Sequence, residues 1–134
     1  MSIPGLGTSH LQQTKLSNEA VDLLEPLADW LSTLEFARNA RELENLVHSQ
    51  LSEKMNSLLT ELGLLNKRYS VVRIPGPKSQ QFYNSEGSAY IIPIRVEDGY
   101  RPTVDGRPLV PGEITYMTTA VMVSPKLDLL FVLE

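Results

Sequence analysis

The stretch "RYSVVRIPGPKSQQF", residues 68–82, marks the point at which the pattern of the chain changes. Before it, apolar residues recur every three or four positions, as on one face of a helix. Within it, "YSVVRI" is rich in β-branched and aromatic residues, which are typical of a strand. Strand and turn patterns then continue to Glu134. Helices followed by strands predict an α+β fold, helical over 17–68 and β over 69–134.

The segment "PGPKS" within this stretch has a glycine, a lysine and a serine directly after a strand, which would suit a phosphate-binding loop. Such a loop also needs a glycine about five residues before the Gly-Lys pair and a helix directly after it, and the sequence has neither. Pro77 also removes a backbone N–H donor. We therefore interpret 75–87 as a hairpin loop whose polar and aromatic tip is a candidate contact surface, formed by Lys78, Gln81, Phe82 and Tyr83.

The first sixteen residues show neither a helical nor a strand period. They contain Pro4, Gly5 and Gly7, and Lys15 is their only charged residue. We expect 1–16 to be an extended arm and 17–134 to be a single α+β domain.

The helical part contains one long run, 33–62, without proline or glycine. Its apolar or small residues recur in steps of three and four, an amphipathic stripe of coiled-coil type with one stutter. Pro26 upstream either kinks one helix or starts a second, and Gly63 is suited to end the long helix. The prediction is a helical hairpin or kinked helix pair with one long helix.

The length of this helix favours self-association. Thirty residues in a helix span roughly 45 Å, whereas a compact chain of this size is about 36 Å across. We therefore expect a homo-oligomer in which another subunit covers the stripe. The alternative is a helix that breaks near Asn45 or Ser49 and packs within one subunit. The predicted interface consists of Phe36, Leu43, Val47, Leu51, Met55, Leu58 and Leu62.

The β part is punctuated by turns. Asp105 and Gly106 predict a two-residue hairpin turn, and "SPK" at 124–126 predicts a second hairpin connection. Pro93 interrupts a strand pattern, which indicates an edge strand or a bulge. The simplest arrangement is a C-terminal antiparallel β-meander of four or five strands.

The residue types that carry catalysis are scarce. The chain has no cysteine, which excludes thiolate nucleophiles and cysteine-ligated zinc. His10 and His48 are its only histidines and are too few for a typical metal site, and no G-x-S-x-G motif occurs. We therefore predict a protein that is not an enzyme and has neither a metal nor a cofactor.

Four arginines of the β part form a candidate anion-binding set, if strand alternation brings them to one sheet face. They are Arg73, Arg95, Arg101 and Arg107. The alternative interpretation is solubilising charge scattered over an outer face.

The net charge of −4 does not favour nucleic acid as a partner. No apolar run approaches the ~20 residues that span a bilayer, and the N-terminus lacks the pattern of a signal peptide. We expect a cytoplasmic protein, or one incorporated into a particle assembled there. The predicted function is that of a structural or adaptor protein, for example a virion component. It would assemble with itself through the amphipathic helix and contact another protein through its β region and arm. The alternative is a small oligomeric regulator that binds a nucleotide or another anionic small molecule at a sheet face.

Overall fold

The computed structural model describes residues 11–34, 37–38, 44–46 and 48–134. Within these ranges the chain forms two helices and eleven strands. The helices are α1 (Asn18–Ser32) and α2 (Leu51–Leu62). The strands are β1 (Leu11–Lys15), β2 (Ala37–Arg38), β3 (Glu44–Asn45), β4 (Arg68–Ile74), β5 (Gln80–Phe82), β6 (Ala89–Val96), β7 (Thr103–Val104), β8 (Arg107–Pro108), β9 (Glu113–Met117), β10 (Val121–Val123) and β11 (Leu127–Leu133).

The strands form two antiparallel sheets. The larger sheet has the order β1-β9-β6-β11-β4-β3-β2, and the smaller has the order β5-β10-β7-β8. From β4 to β11 the chain changes sheet at every connection except the β7–β8 hairpin. Eight strands that alternate in this way form a double-sheet jelly roll.

Two apolar clusters hold these layers together. One lies between the two sheets and includes Val72, Ile74, Phe82, Val123 and Leu129, all at most 5% exposed. The other lies between the helices and the outer face of the larger sheet. Successive residues of β11 alternate between the two clusters, because side chains of a strand point to opposite faces.

The predicted long helix is wrong, and with it the α+β assignment: the protein is mainly β. α1 ends at Ser32 with Thr33 as its C-cap, and α2 begins only at Leu51. Between them, β3 pairs with β4, with Glu44 opposite Arg73. Pairing with an exposed sheet edge satisfies backbone groups that a helix would otherwise satisfy locally, so tertiary contacts override the local period.

The predicted meander of four or five strands is also wrong. The "SPK" segment joins β10 and β11, which belong to different sheets and do not pair with each other. Val121 of β10 and Leu129 of β11 instead face the same intersheet core. Alternation shows which side of a strand is apolar, but it does not show which sheet the strand joins.

Several local predictions are confirmed. Gly63 ends α2 in a left-handed conformation, with φ of 73°. Asp105 and Gly106 form the two-residue turn between β7 and β8, both with positive φ. Pro93 lies at a register irregularity between β6 and β11, although β6 is a central strand rather than an edge. Pro26, in contrast, lies inside the continuous helix α1, so it does not start a second helix.

The predicted arm is described only from Leu11 onward. Residues 11–15 form β1, which pairs with β9 over five positions. In the described part of the chain, neither helix has the length and apolarity needed to cross a membrane.

Candidate functional site: the free edge of the smaller sheet

Strand β5 is an outer strand of the smaller sheet. It pairs with β10, with Phe82 opposite Val121 and Gln80 opposite Val123. No other strand of the described ranges lies along its second side. An outer strand of this kind offers backbone donors and acceptors to another chain.

The hydrogen bonds of the neighbouring strands show which groups of β5 face outward. The Met122 N–H donates to Asp105 Oδ1 at 2.8 Å, and the Met122 carbonyl accepts from the Asp105 N–H, also at 2.8 Å. Met122 therefore directs its backbone toward β7, so Val121 and Val123 direct theirs toward β5. It follows that Gln80 and Phe82 bond to β10, whereas the N–H and C=O of Gln81 point to the free side.

Two clefts flank this free edge and share Gln81, Tyr83 and Asn84. The inner cleft, of about 370 Å³, lies between β5 and the inward face of the larger sheet. The outer cleft, of about 650 Å³, is lined also by Gln80 and Ala120. A strand added beside β5 would therefore have a cleft on each side for its alternating side chains.

The inner cleft has an apolar floor and a charged rim. The rings of Phe82 and Phe131 meet edge to face with centroids 5.1 Å apart. At the mouth, Arg68 Nη2 lies 3.4 Å from Glu86 Oε1, and both side chains are largely exposed. An exposed pair of this kind contributes little to stability and moves easily.

Asn84 shapes the turn that follows β5. Its Nδ2 donates to the Ser88 carbonyl at 2.7 Å, and its Oδ1 accepts from the Glu86 N–H at 3.0 Å. These two bonds hold the 84–88 turn beside the clefts, so Tyr83 projects from an ordered backbone. Its side chain is 48% exposed.

The residues of the predicted contact loop have different environments. Gln81 and Tyr83 line both clefts, while Phe82 is 5% exposed and belongs to the intersheet core. Lys78 is exposed and does not line either cleft. The sequence indicated a surface here but gave no sign that β5 is an edge strand, because edge position depends on the order of strands in the sheet.

Two of the four predicted anion-binding arginines come together around a buried carboxylate. Asp128 accepts from Arg73 Nε at 2.7 Å and from Arg73 Nη2 at 3.0 Å, and Arg95 Nη1 lies 3.6 Å from Asp128 Oδ2. Arg73 Nη2 also donates to the Leu31 carbonyl, at 3.1 Å, in the last turn of α1. The hydrogen bond to Asp128 raises the pKa of Arg73 above its ordinary value. Charge attraction to the same carboxylate also raises it. This cluster ties α1 to the sheet.

The other two arginines lie apart from this cluster. Arg107 Nη1 donates to the Leu11 carbonyl at 3.5 Å. Arg101 lines an apolar cleft beside β8. The four therefore do not share one sheet face.

The predicted oligomer interface falls largely within the subunit's own core. Met55 and Leu58 are 0% exposed, and Leu51 and Leu62 pack against the same cluster. Phe36, Leu43 and Val47 lie outside the described residues. The apolar face of α2 is therefore covered by α1 and the larger sheet.

The described ranges contain no group of three or more histidine, cysteine, aspartate or glutamate side chains suited to hold a metal ion. His48, the single histidine in those ranges, packs edge-on against Trp30 with ring centroids 5.2 Å apart. Its Nδ1 accepts from the Gln50 N–H at 3.1 Å.

No protein-family model matches the chain. No curated protein matches it either. Among solved structures, the chain is similar to the crystal structure of a prolyl-4-hydroxylase from Pseudomonas putida, with a TM-score of 0.51 and 15% sequence identity. The match covers 96% of this chain and 94% of that one. At this identity the likeness shows a shared fold and carries nothing about activity.

Proposed function

We propose that this protein is a non-enzymatic binding module that receives an extended segment of another polypeptide alongside β5. The observation that carries the proposal is the outward-facing backbone of Gln81, between two clefts and at an edge with which no strand of the described residues pairs. Addition of a strand to such an edge is a recurrent mode of peptide recognition, in which main-chain bonds supply affinity and flanking pockets supply specificity.

The chemistry of the two clefts defines the segment that fits. An aliphatic or aromatic side chain suits the inner cleft, whose floor includes Val72, Phe82 and Phe131. A polar side chain suits the outer cleft, which is lined by glutamine, asparagine and tyrosine. The preferred segment therefore alternates apolar and polar residues, as an ordinary half-buried strand does.

This proposal keeps the role of a structural or adaptor protein and moves its contact surface from a helix to a sheet edge. The partner is an extended segment of another protein. Pairing of two copies through the same edge is the homo-oligomeric form of the proposal. The competing role, an oligomeric regulator that binds an anionic molecule at a sheet face, has weaker support because Arg73 and Arg95 both contact Asp128.

The test is a selection of random peptides displayed on phage against the immobilised protein, with affinities of the selected peptides measured by calorimetry. Gln81→Pro removes the outward N–H without removing a bond to β10, and Gln81→Ala keeps that N–H and removes the side chain. We expect selected peptides to alternate in polarity and to lose about tenfold in affinity with Gln81→Pro. Gln81→Ala should retain most of the affinity.

Equal binding to wild type and Gln81→Pro, or a selection that yields no peptides, would contradict the proposal. Light scattering over a tenfold range of concentration distinguishes binding of another protein from pairing between two copies of this chain. A dimer that Gln81→Pro dissociates indicates pairing between copies, and a monomer indicates a different partner.

A further inference from the structure

A third cleft lies at the opposite edge of the smaller sheet, beside β8, and is more apolar than the two beside β5. Its volume is about 550 Å³, within the usual range for small-molecule pockets. Val96 and Leu109, which belong to the intersheet core or pack against it, are part of its lining. Tyr100 and Val110 stand at its mouth, 49% and 45% exposed. Large apolar side chains so exposed around one cleft mark a binding surface.

Backbone hydrogen bonds within the chain hold the walls of this cleft in place. The Leu109 N–H donates to the Pro102 carbonyl at 3.0 Å, which continues the β7–β8 pairing and fixes two lining residues relative to each other. The Tyr100 N–H donates to the Glu97 carbonyl at 3.1 Å, which fixes the turn that carries the tyrosine. Pro102 and Pro108 restrict the backbone further. A preformed cleft binds its ligand without first being ordered.

The charge of the cleft is positive at one end. Arg101 is its single charged lining residue, and it makes no hydrogen bond or ion pair with any residue that the structure describes. The ammonium of Lys126 lies 5.3 Å from the centre of the Tyr100 ring. Glu97 is among the lining residues of the cluster around Arg73 and Asp128, rather than of this cleft. The cleft thus combines an apolar interior with an arginine that has no carboxylate partner among the described residues.

We propose that this cleft binds a small amphipathic carboxylate, with its hydrocarbon part against Leu109, Val110 and Tyr100 and its carboxylate on Arg101. The apolar lining supplies affinity through burial of hydrocarbon surface, and the guanidinium selects a planar anionic head group. This inference does not rest on the proposed peptide site, because β5 and β8 are opposite edges of the smaller sheet.

The test is a titration of ¹⁵N-labelled protein with sodium octanoate, followed by amide chemical shifts, with octan-1-ol as the uncharged analogue. Three variants accompany it. Arg101→Gln removes the charge, Val110→Asp places a carboxylate at the mouth, and Lys78→Gln makes the same change of charge at a residue that does not line the cleft. All three side chains involved are exposed, so each variant should keep the wild-type melting temperature.

We expect octanoate to shift amides of 96–111 and to bind about tenfold more weakly to Arg101→Gln. Octan-1-ol should bind wild type and Arg101→Gln equally, and Val110→Asp should weaken both ligands. Lys78→Gln should match wild type. Shifts spread over the whole surface, no shifts at all, or equal octanoate affinity for Arg101→Gln and wild type would each overturn the proposal.

Discussion

Asp128 is a fully buried carboxylate at the junction of three strands and one helix. Arg73 binds it through two nitrogens and also reaches the last turn of α1. Removal of one partner from such a pair leaves the other charge poorly solvated and without its main counter-ion. The pair therefore fixes the position of α1 relative to the larger sheet through directed hydrogen bonds.

We expect Asp128→Asn to lower the free energy of unfolding by about 3 kcal/mol, since the amide cannot neutralise Arg73. Urea denaturation measures this directly. The matched control is Arg68→Gln, which breaks the exposed pair with Glu86 and should cost no more than about 0.5 kcal/mol. Similar losses in the two variants would show that Asp128 contributes no more than a surface charge.

At the scale of elements, the end of α2 depends on backbone conformation more than on packing. Gly63 has φ of 73°, and a Cβ built at this position would meet no atom within 4 Å. Gly63→Ala should therefore cost about 1 kcal/mol through backbone strain alone. Thermal unfolding monitored by circular dichroism measures it. Ser57→Ala, in the exposed middle of the same helix, is the control and should be neutral or slightly stabilising.

A second test at this scale concerns strand β5. It asks which backbone N–H groups of the strand face away from β10. Proline is tolerated in an edge strand where the lost N–H faces solvent. Gln81→Pro should therefore change the free energy of unfolding by less than about 1 kcal/mol, whereas Gln80→Pro removes a bond to β10 and should cost about 3 kcal/mol. Equal costs measured by urea denaturation would mean that the assignment of inward and outward groups is wrong.

At the scale of the whole molecule, we predict that the apolar face of α2, which is covered within the subunit, does not control the mass of the protein in solution. Leu58 is 0% exposed and belongs to the cluster between the helices and the larger sheet. Leu58→Ala should lower the free energy of unfolding by about 3 kcal/mol and leave the mass in solution unchanged. Light scattering at a temperature well below the unfolding transition checks the second part. A change of mass with little loss of stability would contradict this and would indicate that Leu58 lies in an interface between subunits.

The similarity to the solved prolyl-4-hydroxylase concerns the fold of the whole molecule. A jelly roll is one of the architectures that host many unrelated functions. In the described part of this chain, the jelly roll exposes an edge strand and three clefts of different polarity. Function must therefore be sought in those surfaces.

Local structure could be read from the sequence wherever one residue decides it. Gly63 ends a helix because a left-handed conformation favours glycine, and Asp105 with Gly106 forms a turn because both accept positive φ. Pro93 produces an irregularity because it cannot donate to the ladder. Gln81 and Tyr83, two of the predicted contact residues, could be placed on the surface because their sequence neighbours are polar.

The arrangement of these pieces was decided only in the tertiary structure. Residues 37–38 and 44–45 form strands despite a helical period, because pairing beside β4 satisfies their backbone groups. The edge position of β5 and the meeting of Arg73 with Arg95 at Asp128 depend on which strands become neighbours. The sequence by itself determined turns, caps and the apolar side of each strand, because these depend on single residues and their nearest neighbours. Strand order, and with it the free edge and the clefts, depends on contacts between residues far apart in the chain, which a local pattern does not encode.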